Sequence, residues 1–143
     1  ASIQHAAIQA YGVDHKNYIK SSKEILKAVG NYVYDNLKSN KILINKPQGG
    51  FYLMPEFINA KFRSSSEMCN NILKKTGVAL LPGSDFGFDK ERMLTRLSFT
   101  DFNGEIFMKE YEKTNSLDDE IIKKLAPKMV EGVNKLKKWS ETL

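Results

Sequence analysis

Few residues of this chain have chemistry to offer, and Arg96 stands out among them. It is one of three arginines set against 19 lysines, and it lies inside the apolar, strand-like run Met93-Leu94-Thr95-Arg96-Leu97-Ser98-Phe99. A guanidinium presents its donors in a rigid planar fork that matches a carboxylate through two parallel hydrogen bonds. Strand alternation puts Met93, Thr95, Leu97 and Phe99 on one face and Leu94, Arg96, Ser98 and Thr100 on the other. The arginine face is therefore small and polar, suited to a cleft or to solvent. Two Pro/Gly-marked turns precede it, Pro47-Gln48-Gly49-Gly50-Phe51-Tyr52 and Pro82-Gly83-Ser84-Asp85-Phe86-Gly87. Glycines there let backbone approach closely, so the combination suits a clamp for a small carboxylate ligand. Taken without any wider comparison, a strand arginine that faces water or pairs with a nearby acid is the simpler account.

Other candidates carry less. Pro82-Gly83-Ser84 has the look of an anion-cradling turn, but neither GxxxxGK nor GxGxxG is present. Asp85-Phe86-Gly87 spells the magnesium tripeptide of kinases without an HRD segment or a glycine-rich nucleotide loop. His5 and His15 have no partner ligands near them, so no metal site is expected. Gly49-Gly50 reads as a hairpin turn, or as a place where a bulky partner passes the backbone, and Phe51 and Tyr52 read as core and rim. Cys69, the single cysteine, falls on the apolar stripe of its helix. It allows no internal disulfide and no cysteine metal cluster, and points to a reducing, cytoplasmic compartment.

Composition sets the frame for these residues. With 41% apolar and 27% charged residues, a chain of 143 residues is expected to be one globular domain with a respectable core. No apolar run reaches membrane-spanning length. The net charge of +5 is nearly all lysine, accompanied by acids as in Lys23-Glu24 and Asp118-Asp119-Glu120. Bidentate base reading relies largely on arginine, so the surplus reads as solvated surface rather than a nucleic-acid face. The start Ala1-Ser2-Ile3-Gln4 lacks an initiator methionine, which is expected of a processed product or a piece of something longer.

The elements that must position Arg96 follow from periodicity. Ser2 to Tyr11 reads as a short helix ended by Gly12. A longer one runs from Asp14 to about Lys38 with Tyr18, Ser22, Ile25, Val29, Tyr32 or Val33, and Leu37 on one stripe. Ile42-Leu43-Ile44 and Phe51-Tyr52-Leu53-Met54 read as strands, the second stopped by Pro55. Ser64 and Glu67 form a capping box for a helix that shows Met68, Ile72 and Leu73 to the core and ends at Gly77. Val78 to Leu81 and Met93 to Thr100 are further strands, and Lys109 to Asn115 reads as an exposed connector. Ser116 and Asp119 cap a final helical region carrying Ile122, Leu125, Met129, Val133 and Leu136, which Pro127 either kinks or divides. The fold class is α+β, with helices packed on a small, largely antiparallel sheet.

Three segments in this order resemble the C-terminal half of a fold-type I, pyridoxal-phosphate-dependent aminotransferase of the aspartate/aromatic class. They are Lys46-Pro47-Gln48-Gly49-Gly50-Phe51-Tyr52, then Gly77 through Gly87, then Thr95-Arg96-Leu97-Ser98-Phe99. Ser2-Ile3-Gln4-His5-Ala6-Ala7 resembles the helix start after the family's lysine segment, and Val130 to Leu136 resembles its closing helix. The resemblance implies that residues 1–40 are an interdomain helical segment and 41–143 the small domain of an enzyme exchanging amino groups between amino acids and 2-oxo acids. It gives Arg96 the substrate α-carboxylate. It places pyridoxal phosphate, the Schiff-base lysine, the aspartate on the pyridine nitrogen, the stacking aromatic and the phosphate cup in a large domain upstream. None of the 19 lysines occupies the family's Ser/Thr-x-x-Lys setting. No catalytic, cofactor-binding or metal residue is therefore expected here, the chain alone is expected to be inactive, and the parent is expected to be a homodimer. The rival expectation is a self-contained ligand-binding or interaction module without catalysis.

Overall fold

The apolar stripe of the long helix decides how the chain packs. In the computed structural model, which describes residues 2–143, α1 spans Ser2–Gly12 and α2 spans Lys16–Leu37. The second half of α2 buries Ile25, Val29, Tyr32, Val33 and Leu37. Its first half leaves Tyr18 and Ile19 exposed, and α1 buries nothing. The stripe expected from Tyr18 onward is thus core only from Ile25. Ahead of it, Ile3 and Tyr11 stand 85% and 92% exposed, with no apolar surface over them among the described residues.

Five short strands follow: β1 (Ile42–Leu43), β2 (Tyr52–Leu53), β3 (Glu56–Phe57), β4 (Leu81–Pro82) and β5 (Thr95–Ser98). They form two antiparallel sheets, β1–β3 and β2–β5–β4, joined by a bridge between Glu56 and Leu94. β5 is central, pairing Leu97 with Leu53 and Ser98 with Tyr52 on one side, and Arg96 with Leu81 on the other. The helices are α3 (Ser65–Thr76), α4 (Gly104–Thr114), α5 (Asp119–Leu125) and α6 (Pro127–Ser140). The α+β layering expected from sequence is the observed architecture.

Local chemistry explains most boundaries. Ser64 Oγ accepts from the Glu67 amide, and Gly77 closes α3 in the left-handed region at φ 76°. Pro127 begins α6, where its missing amide costs nothing, so the final helical region is two helices. Several expectations need correction. β2 ends ahead of Pro55 as expected, but an unexpected strand, β3, forms immediately after that proline and pairs with β1. Leu73 is 47% exposed, because Met68, Cys69 and Ile72 occupy the buried stripe and Leu73 rotates past its edge. Val78 to Leu81 pairs only at its end, since β5 is short and its remaining partners lie in β2. Asp118, rather than Ser116 or Asp119, caps α5 through the Ile121 amide.

The segment from Lys109 to Asn115 is not a connector. It is most of α4, started by Asn103, whose side chain accepts from the Glu105 and Ile106 amides, and stopped by Asn115 at φ 52°. Its anchor is Phe107, wholly buried and packed 4.6 Å from the Phe102 ring. Among the described residues no helix is long and apolar enough to cross a membrane, and no cluster of acids, histidines and cysteine could hold a metal.

One ion pair ties β3 to the segment that leads into β5. Arg92 donates to both carboxylate oxygens of Glu56, at 2.8 and 2.7 Å. The hydrogen bond from Arg92 holds the Glu56 carboxyl below the usual glutamate range. A carboxylate depressed in the folded state stabilises the fold above its unfolded-state pKa, and loses that contribution as pH falls through the folded value. Glu56→Gln should therefore melt earlier than native at neutral pH. Thermal melts on acidification should show the gap closing as Glu56 of the native protein takes up its proton.

Candidate functional site

Arg96 is held by its neighbours in the strand. Thr95, fully buried, accepts nothing from solvent; its amide and its Oγ1 both donate to the Pro55 carbonyl, at 2.9 and 3.1 Å. Leu97 is buried on the same face. Alternation therefore leaves Arg96 on the outer face with Ser98, as the sequence predicts. Leu94 departs from the alternation and is buried, because regular pairing starts only at Thr95 and the Leu94 amide turns back to the Arg92 carbonyl at 2.7 Å.

The guanidinium lies between two aromatic rings. Its central carbon is 4.3 Å from the Tyr52 ring centre and 4.2 Å from that of Phe86. Tyr52 reaches it diagonally from β2, and Phe86 comes from the 3-10 turn Gly83–Phe86 on the β4 side. Arg92 by contrast is paired with Glu56, whereas no carboxylate pairs with Arg96 among the described residues. An unpaired guanidinium with ringed faces retains its in-plane N–H edge for an incoming anion.

Gly83 sets the height of the Phe86 ring. Its amide donates to the Leu94 carbonyl at 2.8 Å, and a Cβ there would sit 2.9 Å from that same oxygen. The turn presses so closely on the lead into β5 that only glycine fits. This also answers the reading of Pro82-Gly83-Ser84 as an anion cradle: the Gly83 amide is committed to the sheet. Asp85-Phe86-Gly87, no kinase tripeptide, ends the 3-10 turn, with Gly87 at φ 83°.

Gly49 and Gly50 line a cleft of 580 Å³ against α2, together with Tyr18, Leu26 and Lys46. Among the described residues no atom beyond the chain neighbours lies within 4 Å of a Cβ built on either glycine, and Gly50 takes φ 68°, which favours glycine. A second cleft of 450 Å³ lies between Thr76 to Ala79 and α6. Arg96 lines neither; it sits on the open face of the sheet. Cys69 is buried, and burial pushes its thiol up to about 11, which makes it an inert core residue. Phe51 and Tyr52 both belong to the rim, about 40% exposed. Sequence reasoning passed over Phe86; its signal was an aromatic three residues beyond a strand-ending Pro-Gly.

Pyridoxal phosphate would need a partly desolvated lysine facing the bound substrate. The residues present do not fit it. Every lysine is exposed except Lys41, and Lys41 donates to the Leu143 carbonyl at 2.7 Å.

Comparison with known proteins places this chain in a family. The family model described as aminotransferase class I and II matches residues 1–105, a span that includes both turns and Arg96. An aspartate aminotransferase of Sulfolobus acidocaldarius is 29% identical over 137 residues, which is 93% of this chain and 30% of that protein. A probable N-acetyl-LL-diaminopimelate aminotransferase of Bacillus subtilis is 41% identical over 68 residues, 48% of this chain and 17% of that protein. An aspartate aminotransferase structure from Thermotoga maritima shares the fold with a TM-score of 0.60 at 22% identity, over 96% of this chain and 28% of that one. The chain thus spans less than a third of the length of the relatives it matches.

Gly83→Ala should cost about 1–3 kcal/mol, because backbone rather than a flexible side chain opposes the added methyl. Urea unfolding measures that loss, and an unchanged midpoint would show that the turn does not rest on β5.

Proposed function

Because the chain belongs to the class I and II aminotransferase family, we propose that it is the small-domain part of an enzyme moving an amino group between an amino acid and a 2-oxo acid. Arg96 binds the α-carboxylate of the substrate in this reading. The observation that carries it is a guanidinium free of any acid among the described residues and fixed between two rings. A planar fork of known orientation holds a carboxylate in one pose, and so fixes the direction of the neighbouring Cα–H bond. Thr95 and its bonds to Pro55 keep the strand beneath Arg96 from shifting.

The remaining chemistry belongs to other parts of a longer protein. Pyridoxal phosphate supplies the electron sink of transamination, and the lysines of this chain are not placed to carry it. Residues 41–143 correspond to the small domain and residues 1–40 to an interdomain segment, although the second half of α2 shares the core of the small domain. The bare apolar side chains of α1 and the first half of α2 support a large domain covering them. A homodimeric, cytoplasmic parent belongs to the same reading.

Arg96→Lys in the full-length enzyme should lower kcat/KM for amino-acid donors by about 10–100-fold, the range expected for losing a charge-assisted bidentate contact. Steady-state kinetics checks this, and an unaltered kcat/KM would remove Arg96 from the site. The 143-residue chain supplied with pyridoxal phosphate should transfer no amino group in a coupled assay. Turnover by it would instead favour a self-sufficient module.

A further inference from the structure

The geometry points to Tyr52 and Phe86 as positioning residues that set the plane of the Arg96 guanidinium and restrict its anion to one lying edge-on, in that plane. The inference rests on the reading of Arg96 as the carboxylate clamp and says how that clamp is held.

The rings come from elements that flank β5 on opposite sides: Tyr52 from β2, and Phe86 from the turn after β4. Each lies within 4.3 Å of the guanidinium carbon, the distance of direct stacking. A free arginine side chain samples many rotamers and loses that freedom when it binds. Here much of the restriction is already imposed by the two rings, so less is lost on capture of a ligand. Phe51, 4.2 Å from Tyr52, backs one side, and the Gly83 contact with Leu94 fixes the other.

Flanking rings have a second effect. With Tyr52 and Phe86 each within 4.3 Å of its central carbon, the guanidinium keeps its in-plane N–H edge as the open approach for a partner. A carboxylate is planar and fits edge-on with both oxygens engaged. A phosphonate carries a third oxygen out of that plane, which would meet the ring surfaces, whose faces are electron-rich. The two rings therefore act as a shape filter in favour of planar anions.

The test uses the full-length enzyme with Tyr52→Leu and Phe86→Leu. Both rings are about 40% exposed, so their removal leaves the core intact, and melting curves confirm folding. Each substitution should raise KM for the amino-acid donor by roughly 3–30-fold, with kcat moving by no more than about threefold. Tyr52→Phe and Phe86→Tyr, which keep a ring, should recover most of that loss. If Tyr52→Leu melts early, Tyr52→Ile, better suited to a strand, replaces it. Inhibition by a substrate-like carboxylate and by its phosphonate analogue gives a readout that general destabilisation does not move. The native preference for the carboxylate should shrink in both leucine variants. In an Arg96→Lys background the leucine substitutions should add little, because the rings act through the guanidinium. An unmoved KM and unmoved carboxylate preference in the leucine variants, alongside a damaged Arg96→Lys enzyme, would overturn the positioning role alone. An undamaged Arg96→Lys enzyme would overturn the clamp itself.

Discussion

The site depends on the double anchorage of β5. This four-residue strand is paired on both edges, and Thr95 bolts it to Pro55 through backbone and side chain together. The Thr95 hydroxyl, wholly buried, would be costly without a partner, so the strand has a single acceptable position along its axis. Once that register is set, Arg96 must face outward, Tyr52 must lie diagonal to it, and the Gly83 turn must settle on the Leu94 carbonyl. Short strands are normally weak, and here the helices behind them supply what pairing does not.

Those helices do so unevenly. α2 contributes its second half to the same core as α3, α4 and α6, while α1 and the start of α2 contribute nothing. Two buried aromatic residues brace the helices: Phe107 in α4, and Trp139 in α6, edge-on to Phe57 at 5.3 Å with its indole N–H donating to Asn71. Burying such rings is among the largest single gains open to a chain of this size. The sheet is thereby held from behind, and its outer face, with Arg96, is left free of structural duty.

Much of this was legible in sequence because the signals were local. Ser64 with Glu67, Gly77 and Pro127 announce helix ends by their own backbone chemistry, and alternation around Arg96 gave its face correctly. What was hidden depended on contacts distant in the chain. β3 is invisible beside Pro55 because its pairing with β1 is dictated by tertiary position, and Phe86 reads as a loop aromatic until the turn folds onto β5. The α4 helix was missed for a different reason. Its charged surface outweighed Asn103 and Phe107, although a cap followed four residues later by a buried aromatic is a helical signal. The family of the chain could be read from ordered motifs; the absence of an acid beside Arg96 could not.

The divided burial of α2 makes that helix a lever arm. A continuous helix of 22 residues is about 33 Å long, and its inner half is clamped in the core while its outer half projects from it. Each degree by which the clamped half tilts moves the free tip by roughly 0.3 Å. Small rotations of the sheet and its arginine are therefore stiffly tied to displacement of whatever rests against the tip. A force applied there would reach β5 through the core that Ile25, Val29 and Val33 share with Leu97.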